Sequence, residues 1–201
     1  MKNFLLLLLS LIALSCAETK YAMKYSFNLK CEINGESSDY NLDRDHALYY
    51  YADSILSVEW HVSDTRLSFT LVNESNSSFK IVWDDVVYVD ETGRAGKVAH
   101  KNIRYMDQAK TQPDSHVPKG TKLEDIIIPI DNLYFSDQYG VGVEALNGKS
   151  LLPESVKKQD IEPLKSLLIG RYLKVIMPII YNNNRYEYTF LFKIIDINIR
   201  A

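Results

Sequence analysis

Leu173-Lys174-Val175-Ile176-Met177-Pro178-Ile179-Ile180-Tyr181-Asn182-Asn183-Asn184-Arg185-Tyr186-Glu187-Tyr188-Thr189-Phe190-Leu191-Phe192-Lys193-Ile194 is the stretch that decides the fold. Leu173, Val175, Met177 and Ile179 recur at every second position before three asparagines. Tyr186, Tyr188, Phe190, Phe192 and Ile194 do the same after them. Successive side chains of a strand point to opposite faces, so each run has one apolar face. Asn tolerates positive φ, which a tight turn demands, and the whole predicts a β-hairpin tipped by Asn182-Asn183-Asn184.

The same period governs the chain upstream. Tyr25, Phe27, Leu29, Cys31 and Ile33 alternate strictly, and the polar stretch from Asn34 to Asp45 predicts a loop. Val58, Trp60 and Val62 share one face, as do Leu67, Phe69 and Leu71; Phe79, Ile81 and Trp83 follow the polar turn Glu74–Ser78. Val86–Val89 runs into the turn composition Asp90-Glu91-Thr92-Gly93, and Lys97 to Tyr105 predicts a further strand. Residues 106–122, poor in apolar groups and holding Pro113, Pro118 and Gly120, predict a long surface loop. Ile126–Ile130 predicts a strand near an edge, because Pro129 cannot donate to a ladder. Helical signal is confined to Pro163–Leu168, closed by Gly170, with Leu164, Leu167 and Leu168 expected to face inward. Eight or nine closely spaced strands without βαβ alternation predict a mainly β chain, an antiparallel sandwich with at most one short helix.

The N-terminus carries an address. Behind Lys2, residues Phe4 to Leu14 run without a charge, 11 residues that suit a signal-peptide core and fall short of a bilayer span. The exit is Ala13-Leu14-Ser15-Cys16. The expected organisation is a signal peptide over 1–15, a tether over 16–24 anchored by lipid on Cys16, and one domain over 25–201. Ser15-Cys16-Ala17 also fits ordinary cleavage after Ala17. Without lipid, Cys16 and Cys31 become a candidate disulfide; with it, Cys31 is unpaired and, by alternation, faces the core as a small hydrophobe.

Removing residues 1–15 leaves 186 residues with a formal charge of about −4. That length suits a single core. Basic residues form no continuous run, which argues against nucleic acid as a partner.

Leu67-Ser68-Phe69-Thr70-Leu71-Val72-Asn73-Glu74-Ser75, followed by Phe79–Asp84 and by Val87–Gly93, resembles bacterial envelope lipoproteins with an immunoglobulin-like β-sandwich domain; the exit at Cys16 adds to the likeness. The resemblance spans residues 55–135. It implies an immunoglobulin-like sandwich lipid-anchored to the cell envelope, at the outer membrane where the host has two, and implies no activity.

Motifs for chemistry are sparse. The four His (46, 61, 100, 116) form no His-x-His or His-Glu-x-x-His spacing, and no Gly-x-Ser-x-Gly elbow occurs. No cofactor is expected, no metal site, and no catalytic residue. His61, between Trp60 and Val62, is expected on the solvent face of its strand. Asp84-Asp85 is expected to form a strand-end turn, since neighbouring strand residues diverge. Tyr49-Tyr50-Tyr51 is expected to alternate, sending Tyr50 away from its neighbours. One site assembled from distant residues remains: His100 and His116 bracket the 100–120 loop with Asp107 and Asp114. Two function classes follow. The first is a non-enzymatic binding or assembly module for a partner protein or surface polymer; the second is an envelope hydrolase or metalloenzyme built around that loop. The missing motifs favour the first.

Overall fold

The computed structural model describes residues 19–38, 42–44, 48–101, 103, 110–134 and 147–200. Residues 1–15, expected as a signal peptide, and Cys16 lie outside them. In chain order the described residues form β1 (Lys20–Ile33), β2 (Glu36–Ser38), β3 (Leu42–Arg44), β4 (Leu48–Ala52), β5 (Leu56–Val62), β6 (Leu67–Asn73), β7 (Phe79–Ile81), β8 (Val87–Val89), β9 (Ala95–Ala99), β10 (Ser115–Val117) and β11 (Lys122–Pro129). There follow the short pair β12 (Leu133–Tyr134) and β13 (Asn147–Gly148), then β14 (Ser155–Lys157), α1 (Ile161–Leu168), β15 (Tyr172–Tyr181) and β16 (Asn184–Arg200). The chain is mainly β, and every pairing among these strands is antiparallel.

One hydrogen-bonded path runs β14-β1-β16-β15-β8-β9-β11-β6-β5-β4-β3, with β2 beside β1 and β7 bridging β15 to β10. The path curls back on itself. Trp60 of β5 meets Phe190 and Phe192 of β16 at centroid distances of 5.0 and 5.6 Å, and Tyr51 of β4 meets Tyr188 at 6.3 Å. The β11-β6-β5-β4 half therefore faces the β1-β16-β15-β8 half, and the apolar faces set by alternation close over a common core. β11 joins the halves: Lys122 to Ile127 pair with β6, whereas Ile128 and Pro129 pair with Ala99 and Val98 of β9.

The terminal hairpin forms with a tighter turn than three asparagines suggest. Asn182 (φ 49°) and Asn183 (φ 62°) make a two-residue left-handed turn, and Asn184 already pairs with Tyr181. β16 then runs along β1 over almost its whole length. The register slips by one residue between Ser26 and Phe27, leaving Ile195 unpaired as a bulge.

Several expectations need correction. β1 begins at Lys20, so residues 20–24, expected as tether, are strand, and Met23 is buried. The loop expected over Asn34–Asp45 contains β2 and β3. The strand expected from Lys97 ends at Ala99. The long loop holds β10, which pairs with β7, and Ser115 Oγ accepts the Trp83 indole N–H at 2.8 Å. β11 is an interior strand; Pro129 is tolerated because it is the last residue. In α1, Ile161, Leu164 and Leu168 fall at i, i+3 and i+7 and turn toward the core. Leu167 stands to the side and is exposed.

Candidate functional site

β5, β6 and β11 present their polar faces to solvent because Val58, Trp60, Leu67, Phe69 and Leu71 are committed to the core. Register then lines up what alternation leaves outside. Glu59 lies opposite Thr70, which lies opposite Glu124; His61 lies opposite Ser68, which lies opposite Ile126. Tyr50 on β4 continues the first row beside Glu59. Between these rows and the flanking Arg66 and Lys101 is an open cleft of about 430 Å³. His61 is exposed, Tyr50 points away from buried Tyr49 and Tyr51, and both match the alternation. The Lys122 ammonium, hydrogen-bonded to Glu124 at 2.6 Å, holds that carboxyl below its usual range.

One wall of the cleft is Asp125, whose carboxylate is buried. Its Oδ1 accepts the backbone N–H of Lys101 (2.7 Å) and of Ile126 (2.8 Å), and Oδ2 sits 3.1 Å from His100 Nδ1. The His100 ring lies flat on Trp83, centroids 4.0 Å apart and planes 2° from parallel. A carboxylate orienting an imidazole is half of a base-catalytic arrangement. Here the other imidazole nitrogen, Nε2, is buried without a hydrogen-bond partner among the described residues. The couple sits where β11 passes from β6 to β9, so it clasps the junction of the two halves.

The four residues grouped by sequence do not come together. His100 goes to Asp125; His116 is exposed on β10, opposite Lys80 of β7. Asp114 accepts the Lys80 ammonium at 2.6 Å. Asp107 lies outside the described residues. Among the described residues no three His, Cys, Asp or Glu side chains cluster to hold a metal ion. Asp84 and Asp85 form the end of a 3-10 turn and diverge as expected: Asp84 accepts the Gln112 N–H at 2.9 Å, and Asp85 the Arg185 guanidinium at 2.7 Å.

Cys31 has a free thiol with no solvent exposure. Burial first, then the nearby carboxylates of Asp53 and Glu32, push its pKa well above the usual thiol range. Asp125 and the Glu59–Glu124 row escaped sequence reasoning because cross-strand register is a long-range property. The one signal within reach was parity, which placed His61 outside and placed Glu59 with it.

No protein-family model, no curated protein and no solved structure matches this chain.

Proposed function

We propose that the protein is a lipid-anchored component of the bacterial cell envelope and serves there as a non-enzymatic binding or assembly module. The observation that carries this is the exit Ala13-Leu14-Ser15-Cys16 from a charge-free apolar run behind Lys2. Thioether-linked diacylglycerol on Cys16 gives a durable anchor, since each buried methylene adds about 0.8 kcal/mol and two chains hold where one does not. Two facing antiparallel layers support an immunoglobulin-like sandwich as the body that the anchor carries. The cleft over β5, β6 and β11 is its binding surface for a partner protein or surface polymer. Carboxylates, cations, hydroxyls and Tyr50 side by side suit a polar contact of mixed charge.

A second reading, an envelope hydrolase or metalloenzyme, is favoured by one observation: the buried His100–Asp125 couple with an unpartnered Nε2. It requires a reacting group beside that nitrogen.

The test of the first reading is metabolic labelling with a fatty-acid analogue in a bacterial host. Wild type incorporates the label and fractionates with membranes, and Cys16→Ser does not incorporate it. A Cys16→Ser protein that labels and fractionates like wild type sinks the proposal.

A further inference from the structure

Basic residues scattered along the sequence gather on one face of the fold. The outward positions of β1 carry Lys20, Lys24 and Lys30; those of β16 carry Lys193 and Arg200, and Lys174 extends the row on β15. Register makes these neighbours: Ala22 opposes Arg200, Lys24 opposes Asn198, Asn28 opposes Lys193, and Lys30 opposes Leu191, itself opposite Lys174. Two carboxylates share this area, Asp196 and Glu32, and Glu32 accepts the Lys30 ammonium at 3.2 Å. Toward the Asn182-Asn183 turn, Arg185 donates to Asp85 at 2.7 Å, and Glu187 is a third carboxylate on the same face. Six cations against three carboxylates form a positive stripe on a chain of net negative charge. From Lys20 to Lys30 it is about 34 Å long at ~3.4 Å per residue.

The apolar exceptions of the surface border this stripe. The exposed large hydrophobic side chains of the described residues are Leu167, Ile169 and Ile195, at 58, 44 and 51 % exposure. The backbone brings their segments side by side: the Gly170 N–H donates to Ile194 O, and the Ile194 N–H donates to Arg171 O, each at 2.8 Å. The end of α1 is thereby held beside the bulge. Lys193 lies two residues from Ile195 on β16, and Lys24 lies two residues from Ser26, whose pairing flanks the bulge on β1.

We infer that this face of β1, β16 and β15, with Leu167, Ile169 and Ile195, seats the protein on an anionic phospholipid surface. Lysines and arginine meet lipid headgroups while the apolar side chains enter the interface, the two contributions that hold interfacial proteins on membranes. Charge complementarity and the position of the anchor both select a bilayer as occupant. Cys16 precedes Lys20, the first residue of the stripe, by four residues, a reach of at most roughly 14 Å. The placement of Cys16 rests on the lipid-anchored reading; the charge and the apolar cluster do not. Seating has a consequence for the candidate site. Trp60 faces Phe190 across the core, so the outward side of β5 and the outward side of β16 look in opposite directions. With β16 against the bilayer, the cleft at Glu59, His61 and Glu124 faces away from it.

The test uses the chain from residue 16 onward carrying Cys16→Ser, so that neither the apolar run of residues 4–14 nor an acyl chain contributes. The probes are vesicles of phosphatidylcholine and phosphatidylglycerol in equal parts, and vesicles of phosphatidylcholine alone. Co-sedimentation with the anionic vesicles, weakened by salt and absent with the neutral ones, is expected. Lys24→Glu with Lys193→Glu should cut partitioning by roughly tenfold or more, and Leu167→Ser with Ile169→Ser should cut it severalfold, each with the wild-type circular dichroism spectrum. As a second readout, an Ile169→Trp protein should shift its emission to the blue on anionic vesicles. The native Trp60 and Trp83 are already buried and leave that signal clear. Equal binding to both vesicles, binding to neither, or binding unmoved by the substitutions overturns the inference. So does capture by a soluble polyanion that is indifferent to Leu167 and Ile169. Fatty-acid labelling of wild type is scored separately, so loss of the Cys16 anchor and loss of the membrane face give different results.

Discussion

Trp60 of β5 packs on Phe190 of β16 with ring centroids 5.0 Å apart, and this contact spans the two halves of a single curled sheet. Phe69 at 4.9 Å and Phe192 at 5.6 Å complete an aromatic cage around a fully buried indole. Removing the indole leaves a cavity that three rings cannot collapse into. Trp60→Ala should therefore cost about 3–5 kcal/mol in urea or guanidinium unfolding. A Trp60/Phe190 double-mutant cycle should return a coupling of roughly 0.5–1.5 kcal/mol, the direct measure of contact between the halves. Additive single effects would mean the two rings do not touch.

Asp53 is a second tie between the halves. Its Oδ2 accepts the hydroxyls of Tyr51 (3.0 Å) and Tyr188 (2.8 Å), one from each half, and Oδ1 accepts the N–H groups of Ile55 (2.7 Å) and Leu56 (2.9 Å). Asp53→Ala strands two hydroxyls and a turn, and should destabilise the fold by on the order of 3 kcal/mol. Tyr188→Phe removes its hydroxyl with only one partner affected, and should cost less in the same unfolding measurement.

Alkaline pH should expose the buried tyrosines. Burial, then the charges of Glu91 and Asp64, push Tyr25 from 10.0 to about 12, with its hydroxyl donating to Pro153 O at 2.7 Å. Burial pushes Tyr88 and Tyr188 up further still. The folded state favours the neutral phenol. The stability these groups contribute is thus whole below the unfolded value near 10 and is lost as pH rises through the native values, from about 12 upward. Phenolate absorbance in a pH titration should show these three lagging behind the remaining tyrosines and ionising with unfolding. A single transition near the ordinary value for all fourteen would contradict the burial.

Cys31 should be chemically quiet. Its sulfur is fully buried and its thiolate is disfavoured, so a thiol reagent should modify native protein slowly and denatured protein quickly. Cys31→Ala should cost on the order of 1 kcal/mol through a small cavity. Rapid native labelling would place the thiol at the surface.

Much of the fold was legible because alternation is local. The inward Phe27, Leu29, Cys31, Trp60, Phe69, Phe190 and Phe192, and the turn at Asn182-Asn183, follow from parity and from asparagine's tolerance of positive φ. Extent was less legible. Nothing in Lys20–Lys24 marks it as strand until Arg200 and Asn198 supply partners, and the short β7–β10 pairing rescues part of a stretch that reads as loop. The grouping of His100 with His116 and Asp114 failed for a related reason. Nearness along the 100–120 loop is not nearness in space, and Asp125, the actual partner of His100, arrives on a strand placed by register with β6. The basic face was hidden by the same property: Lys20, Lys24 and Lys30, four and six residues apart, look dilute in sequence and join Lys193 and Lys174 in a stripe only when strands pair.

The lipid anchor proposed at Cys16 is the premise on which the proposed envelope function rests, and mass spectrometry of the N-terminal peptide from membrane-extracted protein tests it most directly. The predicted result is a mature chain beginning at Cys16, with diacylglycerol in thioether linkage and no peptide from residues 1–15. A mature chain beginning at Glu18, from cleavage after Ala17, or an unmodified Cys16 on a chain that retains residues 1–15, would contradict it.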